Sequence, residues 1–101
     1  MDITIDIEGK TALMKVNGVI SSDNAYLFQE KLNEVLDSKA TKLEMDLSGC
    51  RNMSSIGIGK LLIFYKDFMN REGEVDIIKS SPAVYDLFTT IKLNQLISIS
   101  L

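Results

Sequence analysis

Apolar and polar residues alternate strictly at the start of the chain, with Ile3, Ile5 and Ile7 set against Asp2, Thr4, Asp6 and Glu8. A period of two predicts a strand with one face buried. Gly9-Lys10 then predicts a tight turn into a second strand over Thr11 to Asn17, completing a hairpin that Gly18 ends. The period then lengthens. Ala25, Phe28, Leu32, Val35 and Leu36 lie on one helical stripe, and Gln29, Glu30, Lys31, Asn33 and Glu34 fill the wet side. Ser21 or Ser22 is the expected cap, with Asp23 in the first turn at the positive end of the helix dipole. Asp37 to Thr41 is a polar connection.

Alternation returns from Lys42 to Leu47, where Leu43, Met45 and Leu47 interleave with Lys42, Glu44 and Asp46. A small, Ser/Gly-rich turn is expected next, followed by a helix on which Ile58, Leu61, Leu62, Tyr65, Phe68 and Met69 recur at helical spacing. Arg71-Glu72-Gly73 ends that helix, with Gly73 suited to a left-handed cap. Val75 to Ile78 predicts a short strand. Ser81-Pro82 predicts a helix start, because the serine can cap and the proline's missing N–H costs nothing at the first position. Val84, Leu87, Phe88 and Ile91 form that helix's stripe. After the connection Leu93–Leu96, Ile97, Ile99 and Leu101 alternate with Ser98 and Ser100 in a last strand.

The predicted order is β-β-α-β-α-β-α-β, an α/β fold with a hairpin start and then parallel strands joined by right-handed crossovers. Alternation in three of the strands predicts helices mainly on one face of the sheet and a wetter opposite face. The 101 residues suffice for one domain, 1–101, with one core.

Composition narrows the function. Apolar content is 46% and charged content 25%, both ordinary for a globular chain. A net charge of −3 with no Lys/Arg cluster argues against a nucleic-acid surface. No apolar run reaches the length of a membrane span, and Met1–Asp6 lacks the features of a signal peptide, so a cytoplasmic location without membrane insertion is expected. One cysteine, Cys50, and no histidine exclude Cys/His pairs, a Ser-His-Asp triad and zinc sites built on Cys/His clusters. No metal or cofactor is expected, and Cys50 reads as a small buried filler.

The chemistry concentrates in Ser48-Gly49-Cys50-Arg51-Asn52-Met53-Ser54-Ser55-Ile56-Gly57-Ile58-Gly59, where a strand gives way to a helix. Such a junction presents hydroxyls beside free backbone amides, a good place to add or remove a phosphate. Gly57-Ile58-Gly59-Lys60 partly matches the tail of a P-loop. The full pattern needs a glycine where Ser54 stands and a Ser/Thr where Leu61 stands, and both fail. Ser55 has no candidate base near it in sequence, so base, ATP and metal would come from another protein. That describes a kinase substrate, not an enzyme. Gly57 and Gly59 are expected to bend the turn and leave its backbone open to a partner. Residues Ser54 and Ser55 also suit simple helix capping. On the outer side of the helix, Ile56 and Ile63 lie beside Lys60 and Asp67 and extend the patch around Ser55.

Asp46-Leu47-Ser48-Gly49, followed by Ser54-Ser55-Ile56-Gly57-Ile58-Gly59 and an apolar helix, resembles the STAS domain family, and within it the bacterial anti-sigma factor antagonists. That family usually reads Asp-Ser-(Ser/Thr)-Gly-(Leu/Ile)-Gly. Its phosphorylated serine falls on Ser55, its acidic residue on Ser54 and its second hydroxyl on Ile56. Gly18-Val19-Ile20-Ser21 stands where the family usually has Gly-x-(Leu/Ile)-Asp. The likeness spans nearly the whole chain, apart from a helix that the family usually carries after the last strand. The resemblance implies a STAS-like fold and partner switching. The unphosphorylated protein would bind an anti-sigma factor that is also a serine kinase, phosphorylation at Ser55 would end the complex, and a serine phosphatase would reset it. It implies partner contacts at Ser54, Ile56, Gly57, Gly59, Lys60 and Ile63, and at Ser21, Ser22 and Asp23 in the loop beside the helix start. Two alternatives stand beside this: a STAS subunit of a transporter or signalling complex that uses the same surface without phosphorylation, and a small-ligand or nucleotide sensor.

Overall fold

The computed structural model describes residues 1–101. At the hairpin, Gly9 takes a φ of 59°, a left-handed value that a two-residue turn needs and a side chain resists. It joins β1 (Asp2–Glu8) to β2 (Thr11–Ile20), antiparallel from Glu8↔Thr11 to Asp2↔Asn17. Helix α1 (Ala25–Asp37) leads to β3 (Lys42–Met53), α2 (Ser55–Asn70) to β4 (Glu74–Ser80), and α3 (Pro82–Thr90) with a short 3-10 turn at Leu93–Gln95 to β5 (Ser98–Ile99). The sheet runs β1-β2-β3-β4-β5, and every pairing after the hairpin is parallel.

One face of the sheet carries Ala12, Met14, Val16, Leu43, Met45, Leu47, Val75 and Ile77. Onto it pack Phe28, Leu32 and Val35 of α1, Leu61, Phe64 and Phe68 of α2, and Val84 and Phe88 of α3, in a single cluster of 23 buried residues. Phe28, Phe68 and Phe88 are fully buried, and truncating such a ring to alanine costs about 3–5 kcal/mol. The opposite face, with Lys15, Lys42, Glu44, Asp46 and Asp76, carries no helix and is half-exposed or exposed. No helix is long and apolar enough to cross a membrane.

Several local expectations are corrected. Strand β2 continues through Gly18 to Ile20, and β4 through Lys79 to Ser80. Strand β3 runs on from Leu47 to Met53, through the segment expected as a turn. Two register shifts against β2 give β3 an extra residue between Asp46 and Gly49 and another between Cys50 and Asn52. Burial there falls on Leu47, Cys50 and Met53, every third residue, so the strand loses its period of two. Residue Asn24, not Ser21 or Ser22, precedes α1, and no acidic residue lies in the first turn. On α2, Leu62 and Met69 are exposed and Phe64 takes the buried place; on α3, Ile91 is exposed. At the end of α2 the left-handed residue is Glu72, φ 62°. Gly73 is buried against the Phe68 ring, where a Cβ would collide with it.

Candidate functional site

The junction between β3 and α2 shrinks to one residue, Ser54. Its extended backbone (φ −69°, ψ 163°) lets its Oγ accept from the Gly57 amide at 3.2 Å, while its carbonyl accepts from the Ile58 amide at 3.0 Å. The amides of Ser55 and Ile56, in the first turn, have no partner within the helix. Ser55 opens α2 and is exposed. Its hydroxyl thus sits at the positive end of a 16-residue helix, with no acidic residue in the first turn.

The β2–α1 loop lies alongside. Ile20 and Met53 are ladder partners at the ends of β2 and β3, and the Ser54 amide donates to the Ile20 carbonyl at 2.7 Å. Ser21, Ser22 and Asp23 therefore leave the sheet at the same end as Ser54 and Ser55. Asn24 shapes that loop: its Oδ1 accepts from the Ser21 amide at 2.8 Å and its Nδ2 donates to the Val19 carbonyl at 2.9 Å. Ser22 and Asp23 are exposed, and Ser21 is half-buried.

The glycines act differently from expectation. Both lie inside α2, and neither has a positive φ. Gly57 is buried, and a Cβ there would fall 2.7 Å from Ile20 Cγ2 and 2.9 Å from Met53 Cγ. It lets the helix approach the strand ends and offers little surface to a partner. A Cβ on Gly59 would meet nothing within 4 Å. Because Gly57–Lys60 is helical, it forms no loop that wraps a phosphate chain, which removes the structural basis of the P-loop likeness.

Down the outer side of α2, Ile56 is 48% and Ile63 61% exposed. Lys60, Ile63 and Asp67 line a groove between α2 and α1, whose other wall includes Gln29, Asn33 and Leu36. The sequence reading missed Asn24 and this α1 wall. The run Ser21-Ser22-Asp23-Asn24 offers four residues suited to capping in succession, and the pattern alone does not choose among them. Gln29 and Asn33 read as ordinary solvated positions. Cys50 is buried, its thiol donating to the Asn52 carbonyl at 3.3 Å, and burial pushes its pKa up.

The family model described as "Mlab, STAS domain" matches residues 3–98. The chain belongs to the STAS domain family. Among solved structures, the anti-sigma factor antagonist SpoIIAA in its unphosphorylated form superposes with a TM-score of 0.83 at 15% identity, over 99% of this chain and 89% of that one. An anti-sigma factor antagonist from Mycobacterium paratuberculosis gives 0.85 at 18% identity, over 99% and 86%. The Bacillus cell fate determinant SpoIIAA in its phosphorylated form gives 0.75 at 14% identity, over 99% and 92%. At these identities the likenesses establish a common STAS fold.

Proposed function

We propose that this STAS domain is an anti-sigma factor antagonist that works by partner switching. The observation that carries the reading is Ser55 itself, an exposed hydroxyl on the first residue of α2, beside two amides unpaired in the helix. A phosphate there adds about 1.5–2 negative charges. The helix N-terminus accommodates them without disturbing the core, whereas a partner surface laid over Ile56, Lys60 and Ile63 is repelled or left with buried charge. The same modification ends a complex and spares the fold. The attacking hydroxyl has no base of its own, so a partner serine kinase supplies base, ATP and metal, and a serine phosphatase reverses the step. Solved structures of the same fold in unphosphorylated and phosphorylated forms support the idea that STAS architecture tolerates this charge. The proposed contacts are Ser21, Ser22, Asp23, Ser54, Ser55, Ile56, Gly59, Lys60 and Ile63, with Gly57 as the close-packed support beneath them.

The test is incubation with the cognate anti-sigma factor kinase and ATP, then mass spectrometry of the peptide spanning Ser54 and Ser55. Ser55→Ala binds the kinase and resists phosphorylation; Ser55→Asp and Ser55→Glu bind poorly. Equal affinity of all three refutes the switch.

A second reading has one observation in its favour. Ser54 stands at the family's usual acidic position and is committed to capping Gly57, and α2 has no acidic residue in its first turn. A kinase that orients its substrate through that carboxylate finds none. The surface then serves a constitutive STAS subunit of a transporter or signalling complex. An unmodified Ser55 after kinase treatment, with a stable complex recovered from the native host, selects this reading.

A further inference from the structure

We propose that the outer edge of β1 is a docking site for an extended segment of a partner protein whose side chains alternate apolar and basic. The proposal rests on β1 alone and is independent of the reading of Ser55.

Strand β1 pairs only with β2, so its seven residues form one free edge of the sheet. Alternate residues of an edge strand direct their amides and carbonyls outward, which is a template for one more strand. The other edge, β5, has two residues and is too short for this. β1 contains no proline and its ladder with β2 runs without a bulge, so two common edge-blocking devices are absent.

The side chains state what would fit. On the open face of the sheet β1 presents Asp2, Thr4, Asp6 and Glu8, all exposed. Asp6 and Glu8 line a hollow with Thr11, Leu13 and Glu44, which adds a third carboxylate and no cation. On the helix-facing side, Ile3 and Ile5 are half-buried and Ile7 is 45% exposed. There Met1, Ile3 and Leu27 supply the apolar part of a hollow that Asp2 and Lys31 also line. A strand laid along β1 therefore meets a row of three carboxylates and Thr4 on one side and the mainly apolar row Ile3, Ile5 and Ile7 on the other. A second copy of this chain is disfavoured, because β1 against β1 brings two rows of carboxylates together. The acidic row rejects self-pairing and selects a basic strand.

The test uses the full ¹⁵N-labelled chain and a synthetic heptapeptide of alternating lysine and valine. The expected result is saturable shifts and slowed hydrogen exchange at Ile3, Ile5 and Ile7. An Asp6→Lys, Glu8→Lys double variant, with its fold checked by thermal melting, binds about tenfold more weakly. A peptide of the same composition with lysines and valines in separate blocks does not protect those amides. The proposal is overturned by absence of binding, by equal protection from the block peptide, by shifts centred on α2 instead of β1, or by peptide-free dimerisation through β1.

Discussion

The backbone amide of Ser54 donates to the carbonyl of Ile20 at 2.7 Å. This bond ties the end of β2 to the start of α2, so the loop from Ser21 and the hydroxyl of Ser55 share one rigid base. The tie uses main-chain atoms only, so it survives changes to the Ser54 side chain. The cap does not. Ser54→Ala frees the Gly57 amide and is expected to cost about 1 kcal/mol, read as a lower urea midpoint. Ser54→Asp keeps the cap, adds charge at the favourable end of the dipole and is expected to match or exceed the parent's stability.

Gly57 and Gly59 differ by two positions and by sign. Gly57→Ala gains helix propensity of about 1 kcal/mol. However, it places a methyl 2.7 Å from Ile20 Cγ2 and 2.9 Å from Met53 Cγ, an overpacking that costs about 1–3 kcal/mol. Net destabilisation is expected. Gly59→Ala meets nothing within 4 Å and is expected to stabilise by about 0.5–1 kcal/mol. Thermal melts of the two variants check the opposite signs.

Arg71, just past α2, donates to the carbonyls of Leu36 at 2.5 Å, Ala40 at 2.8 Å and Val35 at 3.1 Å. Its guanidinium also lies 4.9 Å from the centre of the Phe68 ring. It closes the C-terminal end of α1, where carbonyls lack helical partners. Arg71→Met keeps much of the stem and loses all three bonds, for an expected cost of about 1–3 kcal/mol. Arg71→Lys is expected to recover only part of that, because an ammonium lacks the planar fork. Chemical denaturation of both variants distinguishes lost bonding from lost packing.

Asp46, on the open face, accepts from the Ser48 hydroxyl at 2.6 Å and the Ser48 amide at 3.0 Å. The Ser48 hydroxyl is the main cause of its lowered pKa. Partial burial opposes it, and the Ser48 amide, Lys79 and Lys15 add to the lowering. A depressed carboxylate stabilises the fold above its unfolded pKa, and that contribution is lost as pH falls through the folded value. The denaturation midpoint is expected to fall as pH drops below about 4. Ser48→Ala is expected to flatten that part of the profile.

The element order was legible because most periods in the sequence survive in the structure, although the last strand, expected over Ile97 to Leu101, keeps only Ser98–Ile99 and leaves Leu101 exposed. The alternation of Ile3, Ile5 and Ile7, the stripe of Phe28, Leu32 and Val35, and the Ser81-Pro82 start all appear where the pattern puts them, Ser81 capping Val84 at 3.2 Å. The segment from Ser48 to Met53 was not legible as a strand, because its bulges break the period of two. Leu62 and Phe64 were misassigned for a related reason. A helix rich in apolar residues on several sides has no unique stripe, and its orientation against α1 and the sheet decides which are buried.

What the sequence by itself determined was local: the order of strands and helices, the hairpin at Gly9, the STAS motif and the presence of a serine at position 55. These follow from side-chain periodicity and backbone preference, which act over a few residues. Only the tertiary structure decided that Gly57 is a contact point with Ile20, and that β1, paired with β2 on one side, leaves its outer edge free. Those depend on pairing registers and helix docking between segments up to about forty residues apart, and no local pattern encodes which atoms then meet.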